Sequence, residues 1–207
     1  MIEIVENAIQ LGTTGLCTVL ALFHAARSGK RAWLLLALAS GVYFLGDLYW
    51  LLFLVFYGMT PRDTYIPYLS WYAFYVFLLL LLLEVRGLRP AVPHSRALWL
   101  IPLFTAGMAA FYLQWGDWVG NITAAVLMSL LLWHTADCLL LWRGNAAADK
   151  RHFALALLAF CAAEYAAWTS SCFWMGDTLG NPYFWFDTLL SFCFLLFPPA
   201  LRKAVEG

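Results

Sequence analysis

Seven apolar runs divide the chain, at residues 6–26, 32–57, 66–86, 97–114, 119–142, 152–175 and 182–201. Each is near the length of about 20 residues that a helix needs to cross a bilayer. No other feature narrows the fold as much. In hydrocarbon every backbone N–H and C=O must find an internal partner, and a single run of this length finds them only as a helix. Charged residues make up 12% of the 207, against about 25% in soluble domains. The expectation is an all-α integral membrane protein: one domain over 1–207, folded as a seven-helix transmembrane bundle with the lipid bilayer as its first partner.

The basic residues orient the bundle. Arg27, Lys30 and Arg31 lie between runs one and two, and Arg86, Arg89 and Arg96 between three and four. Arg143, Lys150 and Arg151 lie between five and six, and Arg202 and Lys203 follow run seven. Alternate connections thus carry all the Lys and Arg except Arg62. Cytoplasmic loops collect positive charge, so the N-terminus is expected outside and the C-terminus in the cytoplasm. The multi-pass location expected is the cell membrane, in bacteria the inner membrane. The start, "MIEIVEN", is acidic and lacks the basic n-region of a cleavable signal peptide. The first run carries Gln10, Thr13, Thr14 and Thr18, so it should pack inside the bundle. The fourth carries Pro102, a candidate kink. The three outer connections, rich in aromatics, Gly or Pro, are expected to be tight turns.

Acids inside the runs carry the functional question. "VYFLGDLYWLLFLVFYG", residues 42–58, holds Asp47 near the centre of run two. Asp137, Glu164 and Asp187 lie in runs five, six and seven. A lone carboxylate in hydrocarbon costs several kcal/mol unless it is paired or protonated. Glu84, beside Arg86 at the end of run three, is read as an interface charge. The interiors of the runs hold no Lys or Arg, so no buried arginine partner is expected for these acids. Asp47, Glu164 and Asp187 fall at depths that allow one shared cavity in the outer half. Asp137 lies in the inner third, with His134 at i−3 on the same helix face. That pair is read first as an internal hydrogen-bonded pair; a proton site and two metal ligands are the other readings.

Aromatic residues follow the acids. Trp50 is at i+3 from Asp47, Trp168 at i+4 from Glu164, and Tyr72 lies in the outer half of run three. Ring faces attract a cation and a carboxylate neutralises it. A small, cationic ligand bound by Asp47, Trp50, Tyr72, Glu164, Trp168 and Asp187 is therefore the expectation, against the plainer reading of these rings as packing and interfacial belt. Two pairs of runs also echo each other. Asp47, Trp50, Gly58 and Pro67-Tyr68 repeat as Glu164, Trp168, Gly176 and Pro182-Tyr183, with 20 and 18 residues from acid to proline. That pattern predicts a parallel three-one-three repeat, with run four as the linker.

Several chemistries find no support. Run seven has no lysine for a retinal Schiff base, and neither HExxH nor GxSxG occurs. His24 and His134 are poor grounds for a haem. The five cysteines are single and read as packing. No cofactor, no metal, no catalytic residue and no nucleic-acid partner is expected, and an enzyme is the less favoured class.

"LGDLYWLLFLVFYGMTPRDTYIPYLSWYAFYVFLLLLL" resembles the multi-helix membrane sensor regions found ahead of GGDEF and EAL domains in bacterial signalling proteins. The matching residues are Gly46, Asp47, Trp50, Gly58, Pro67 and Tyr72; the resemblance is best over 32–86 and fainter over 152–201. Such regions often carry an acid near the start of the third helix, and residues 66–77 hold none. The resemblance implies a receptor-like sensor for a small molecule. With no output domain following "RKAVEG", it is expected to signal through a separate cytoplasmic or membrane partner. Two other classes stay open. A three-one-three layout is similar to that of SWEET-type sugar transporters, though their Pro-Gln signature is missing, and points to a small proton-coupled transporter. The Gly-Asp of run two is similar to that of lysoplasmalogenase-like hydrolases, and points to an intramembrane lipid hydrolase with paired carboxylates.

Overall fold

The computed structural model describes residues 2–61, 65–87, 95–142 and 148–206. Arg62, Arg89 and Arg143 lie outside the described residues. Seven helices follow one another: α1 (Ile2–Ser28), α2 (Arg31–Tyr57), α3 (Tyr65–Arg86), α4 (Leu100–Tyr112), α5 (Trp118–Leu141), α6 (Ala148–Ser171) and α7 (Pro182–Glu206). One 3₁₀ turn precedes α4, at Arg96–Trp99, and another follows it, at Leu113–Trp115. Among the described residues there is no strand. All seven helical stretches are long and apolar enough to cross a membrane. This is a multi-pass helical membrane protein.

Burial is sorted as lipid requires. Phe23, Phe56, Leu103 and Trp185 stand exposed on the outside, while Glu6, Gln10, Thr14, Asp47, Glu164 and Asp187 are buried. An apolar exterior of this extent is stable only against hydrocarbon or a partner. Six helices close a ring in the order α1, α2, α3, α5, α6, α7, with α7 returning to α1. α4 packs outside this ring on α5, and reaches α6 through Phe104, whose ring lies 5.2 Å from that of Tyr165.

The ring is filled at mid-height by aromatic side chains. Phe74, Phe160, Phe194 and Phe197 are fully buried. Phe74 lies 5.1 Å from Phe160 and 5.3 Å from Phe194, in the tilted and edge-on arrangements that suit ring quadrupoles. At one end of the bundle, lysines cap helix C-termini across the ring. Lys150 Nζ donates to the Val85 carbonyl at 2.9 Å, and Lys30 Nζ donates to the Val205 carbonyl at 2.5 Å. A C-terminal turn leaves such carbonyls without partners and carries negative dipole charge, which suits an ammonium.

The helix ends differ from the sequence expectation in four places. α1 begins at Ile2, four residues early, which brings Glu6 inside the helix. α6 spans 148–171 rather than 152–175; the Ser170 carbonyl accepts the N–H groups of both Phe173 and Trp174 and ends it. α7 continues to Glu206 through Pro198 and Pro199 because Leu201 beyond them is buried against the bundle. Pro102 does not kink α4. It lies in the first turn, where no N–H is needed.

Local chemistry explains the turns at the other end. Gly58 ends α2 in the left-handed conformation (φ 67°), where an L side chain is strained. Asn181 Oδ1 accepts the Tyr183 N–H at 3.0 Å ahead of Pro182, so an N-cap asparagine and a first-position proline start α7.

Gly46 sets the spacing of α2 and α3. A Cβ built there falls 2.9 Å from Ser70 Cβ. Gly46→Ala is therefore expected to cost about 1–3 kcal/mol, seen as a lower thermal midpoint in detergent. Ser70→Gly in the same chain should recover most of the loss.

Candidate functional site

A cavity of about 380 Å³ opens between the ring helices, in the half of the bundle that contains the α4–α5 turn. Volumes of this order hold small molecules. Asp47, Trp50, Tyr72, Glu164, Trp168 and Asp187 all line it. Along each helix the aromatic plug begins one to two turns beyond the cavity residue: Phe160 before Glu164 on α6, Phe194 after Asp187 on α7. The plug therefore separates the cavity from the lysine-capped end.

Each acid has its own surroundings. Asp47, 2% exposed, faces α1, where Thr14 Oγ1 lies 3.3 Å from its Oδ2. Trp71 lies beside the same carboxyl, with its indole N–H outside good hydrogen-bond geometry. Glu164, 4% exposed, accepts from the Tyr75 hydroxyl at 2.5 Å through Oε1. Its Oε2 has no hydrogen-bond partner among the described residues. Asp187 accepts from Gln10 Nε2 at 3.2 Å. A fourth acid joins them. Glu6, 3% exposed, lies beside Asp187 and accepts from Asn7 Nδ2 at 2.9 Å.

The rest of the wall is aromatic. Trp50 and Trp71 have ring centres 6.1 Å apart. Trp168 stands edge-on to Tyr112 at 6.2 Å. The Tyr72 hydroxyl donates to the Gly120 carbonyl at 3.2 Å and ties α3 to the start of α5. That start is shaped by Asp117, whose Oδ1 accepts the Gly120 N–H at 3.2 Å. No Lys, Arg or His side chain lines the cavity among the described residues. The site is thus able to attract positive charge by two means at once, carboxylates and ring faces.

His134 and Asp137 lie elsewhere, away from the cavity. The expectation that no arginine serves the intramembrane acids fails at Asp137. Arg86 Nη2 lies 2.9 Å from its Oδ2, with both side chains largely buried. Arg86 closes α3, and its long side chain reaches back to α5, which packs beside α3. A span interior empty of basic residues did not prevent pairing, because a guanidinium at a helix end reaches inward. Among the described residues, no three His, Cys, Asp or Glu side chains gather as a metal site.

Sequence reasoning missed Glu6, Trp71 and Tyr75 as site residues. Glu6 stood at the edge of the first run, outside the set of intramembrane acids. The signal was there: Glu6, Gln10, Thr14 and Cys17 recur at three- and four-residue steps, and all four are buried. Trp71 and Tyr75 follow the same four-residue step on α3, hidden among many aromatics.

Comparison with known proteins found no match to this chain among family models, curated proteins or solved structures.

Proposed function

We propose that this protein is a receptor-like membrane sensor that binds a small organic cation in the acid- and aromatic-lined cavity. One observation carries the reading. Three buried carboxyl groups, those of Asp47, Glu164 and Asp187, and several Trp and Tyr rings line a cavity where no basic side chain among the described residues lines the wall. A cation there finds carboxylate oxygens, including the unpartnered Glu164 Oε2, and the ring faces that hold alkylammonium groups.

The basic connections support an orientation with the N-terminus outside, which turns the cavity outward, and a location in a bacterial cytoplasmic membrane. The echo of Asp47 and Trp50 by Glu164 and Trp168 supports a three-one-three repeat of α1–α3 and α5–α7, joined by α4. Ligand binding at the outer end would be reported through the cytoplasmic connections to a separate signalling partner.

The test is a thermal-shift series on the purified protein with choline, putrescine, glucose and lysophosphatidylcholine. Stabilisation by choline or putrescine is expected. Stabilisation by the lysolipid alone would favour a lipid hydrolase, for which the carboxyls lining the cavity would supply the acid and base. Uptake of the cation into proteoliposomes would favour a transporter, the second reading that acids lining a mid-bundle cavity support.

A further inference from the structure

The three acids that line the cavity stand at two depths, and two separate parts of the fold give the difference. Along α1, Gln10 Nε2 donates to Asp187 Oδ1 at 3.2 Å and Thr14 Oγ1 donates to Asp47 Oδ2 at 3.3 Å. Thr14 follows Gln10 by four residues, about 6 Å of helix rise, and α1 runs from the cavity end toward the lysine-capped end. Asp47 therefore lies about one turn deeper than Asp187. The aromatic plug gives a second scale. There Phe160 of α6 and Phe194 of α7 meet with ring centres 5.7 Å apart. Counted outward from that contact, Glu164 is four residues away on α6 and Asp187 seven residues away on α7. Three residues of helix rise about 4.5 Å, so Glu164 too lies nearly one turn deeper than Asp187.

The inner level is short of a donor. Glu164 Oε1 accepts from the Tyr75 hydroxyl at 2.5 Å. Its Oε2, on a side chain 4% exposed, has no hydrogen-bond partner among the described residues. A buried carboxylate oxygen is costly to leave without a donor. Both levels are also short of charge: the donors to the three acids, Thr14, Tyr75 and Gln10, are all neutral. Ring surface joins the two levels. The Trp71 ring centre lies 6.3 Å from that of Tyr43, one turn below Asp47 on α2, and 6.1 Å from that of Trp50, one turn above it.

We infer that the cavity takes a linear diamine lying along the bundle axis, with one ammonium at the inner level of Asp47 and Glu164 and the other at Asp187. The inference rests on the cation reading of the cavity and names the class of cation. The inner ammonium brings N–H groups to Glu164 Oε2, and the methylenes between the two charges lie against the Trp71 face. In an extended four-carbon diamine the two nitrogens are separated by about the rise of one helical turn. A monoamine or choline fills the inner level and leaves Asp187 without a cation.

Titration calorimetry on the purified protein tests this with choline, butylamine and three diamines: trimethylenediamine, putrescine and heptamethylenediamine. Putrescine should bind about 10- to 100-fold tighter than butylamine, the effect of a second charge-assisted contact, and tighter than the shorter and the longer diamine. Asp187→Asn keeps an acceptor for Gln10 and should fold. It should bring putrescine down to the affinity of butylamine and leave butylamine unchanged, whereas Glu164→Gln should weaken both. Should Asp187→Asn fail to fold, the chain-length series on the parent still decides. Putrescine no tighter than butylamine, or affinity rising steadily with chain length as apolar burial alone would give, overturns the two-level site and leaves the cavity reading standing. So does a gap between putrescine and butylamine that persists in Asp187→Asn. Failure of choline, butylamine and every diamine to bind overturns the cavity reading, and the diamine site falls with it.

Discussion

Asp47→Asn should fold at least as well as the parent and lose its response to organic cations. Asp47 is buried against α1, with the Thr14 hydroxyl as its geometrically sound hydrogen-bond partner. An asparagine has nearly the same shape, keeps an acceptor and removes a charge from a low-dielectric site. The thermal midpoint should therefore hold or rise. Cation binding should weaken by about 10- to 100-fold, the loss of one charge-assisted contact of ~1.5–3 kcal/mol. Thermal shifts with choline and putrescine on the parent and the variant read both effects. A variant that does not fold would make Asp47 a structural hydrogen-bond centre and remove it from the binding reading.

Breaking the ion pair at the opposite end should have the reverse signature. Arg86→Met leaves Asp137 buried without its guanidinium, 2.9 Å away in the parent. Removing one partner of a buried pair costs about 3–5 kcal/mol, because the other charge stays behind in low dielectric. The thermal midpoint should fall clearly, while the protein that remains folded keeps its response to choline. The double variant Arg86→Met/Asp137→Leu should recover most of the loss, since two apolar side chains of similar volume need no pairing. A single variant as stable as the parent would mean that the pair is solvated.

The two ends of the bundle were legible to different degrees. Asp47, Trp50, Glu164, Trp168 and Asp187 stood out because an acid in a membrane run is costly, and an aromatic one turn away shares its face. Tyr72 was singled out among the many aromatics of run three by the resemblance to sensor regions and by its place in the outer half, with no acid one turn away to mark it. Glu6 was lost to a boundary: helix ends are soft by a few residues, and a shift of four moved an acid from the edge of α1 into the bundle. Pro102, read as a candidate kink, misled for a related reason. A proline breaks a helix only where an N–H is needed, and sequence does not say which turn that is.

What the chain determines by itself is the material of the fold. Apolar runs near 20 residues dictate membrane-spanning helices, because backbone groups have no other partner in lipid. Periodic polar residues dictate which face of α1 turns inward, and loop charge supports an orientation. Tertiary structure alone decided which acids meet. Asp137 found Arg86 rather than an unassisted interior, and Glu6 found Asp187 at the far end of the chain. Hydropathy sets that a helix crosses, but not its rotation or its neighbours. Those follow from side-chain packing across the ring, where Gly46 against Ser70 and the interlocked phenylalanines choose one arrangement among many of equal apolarity.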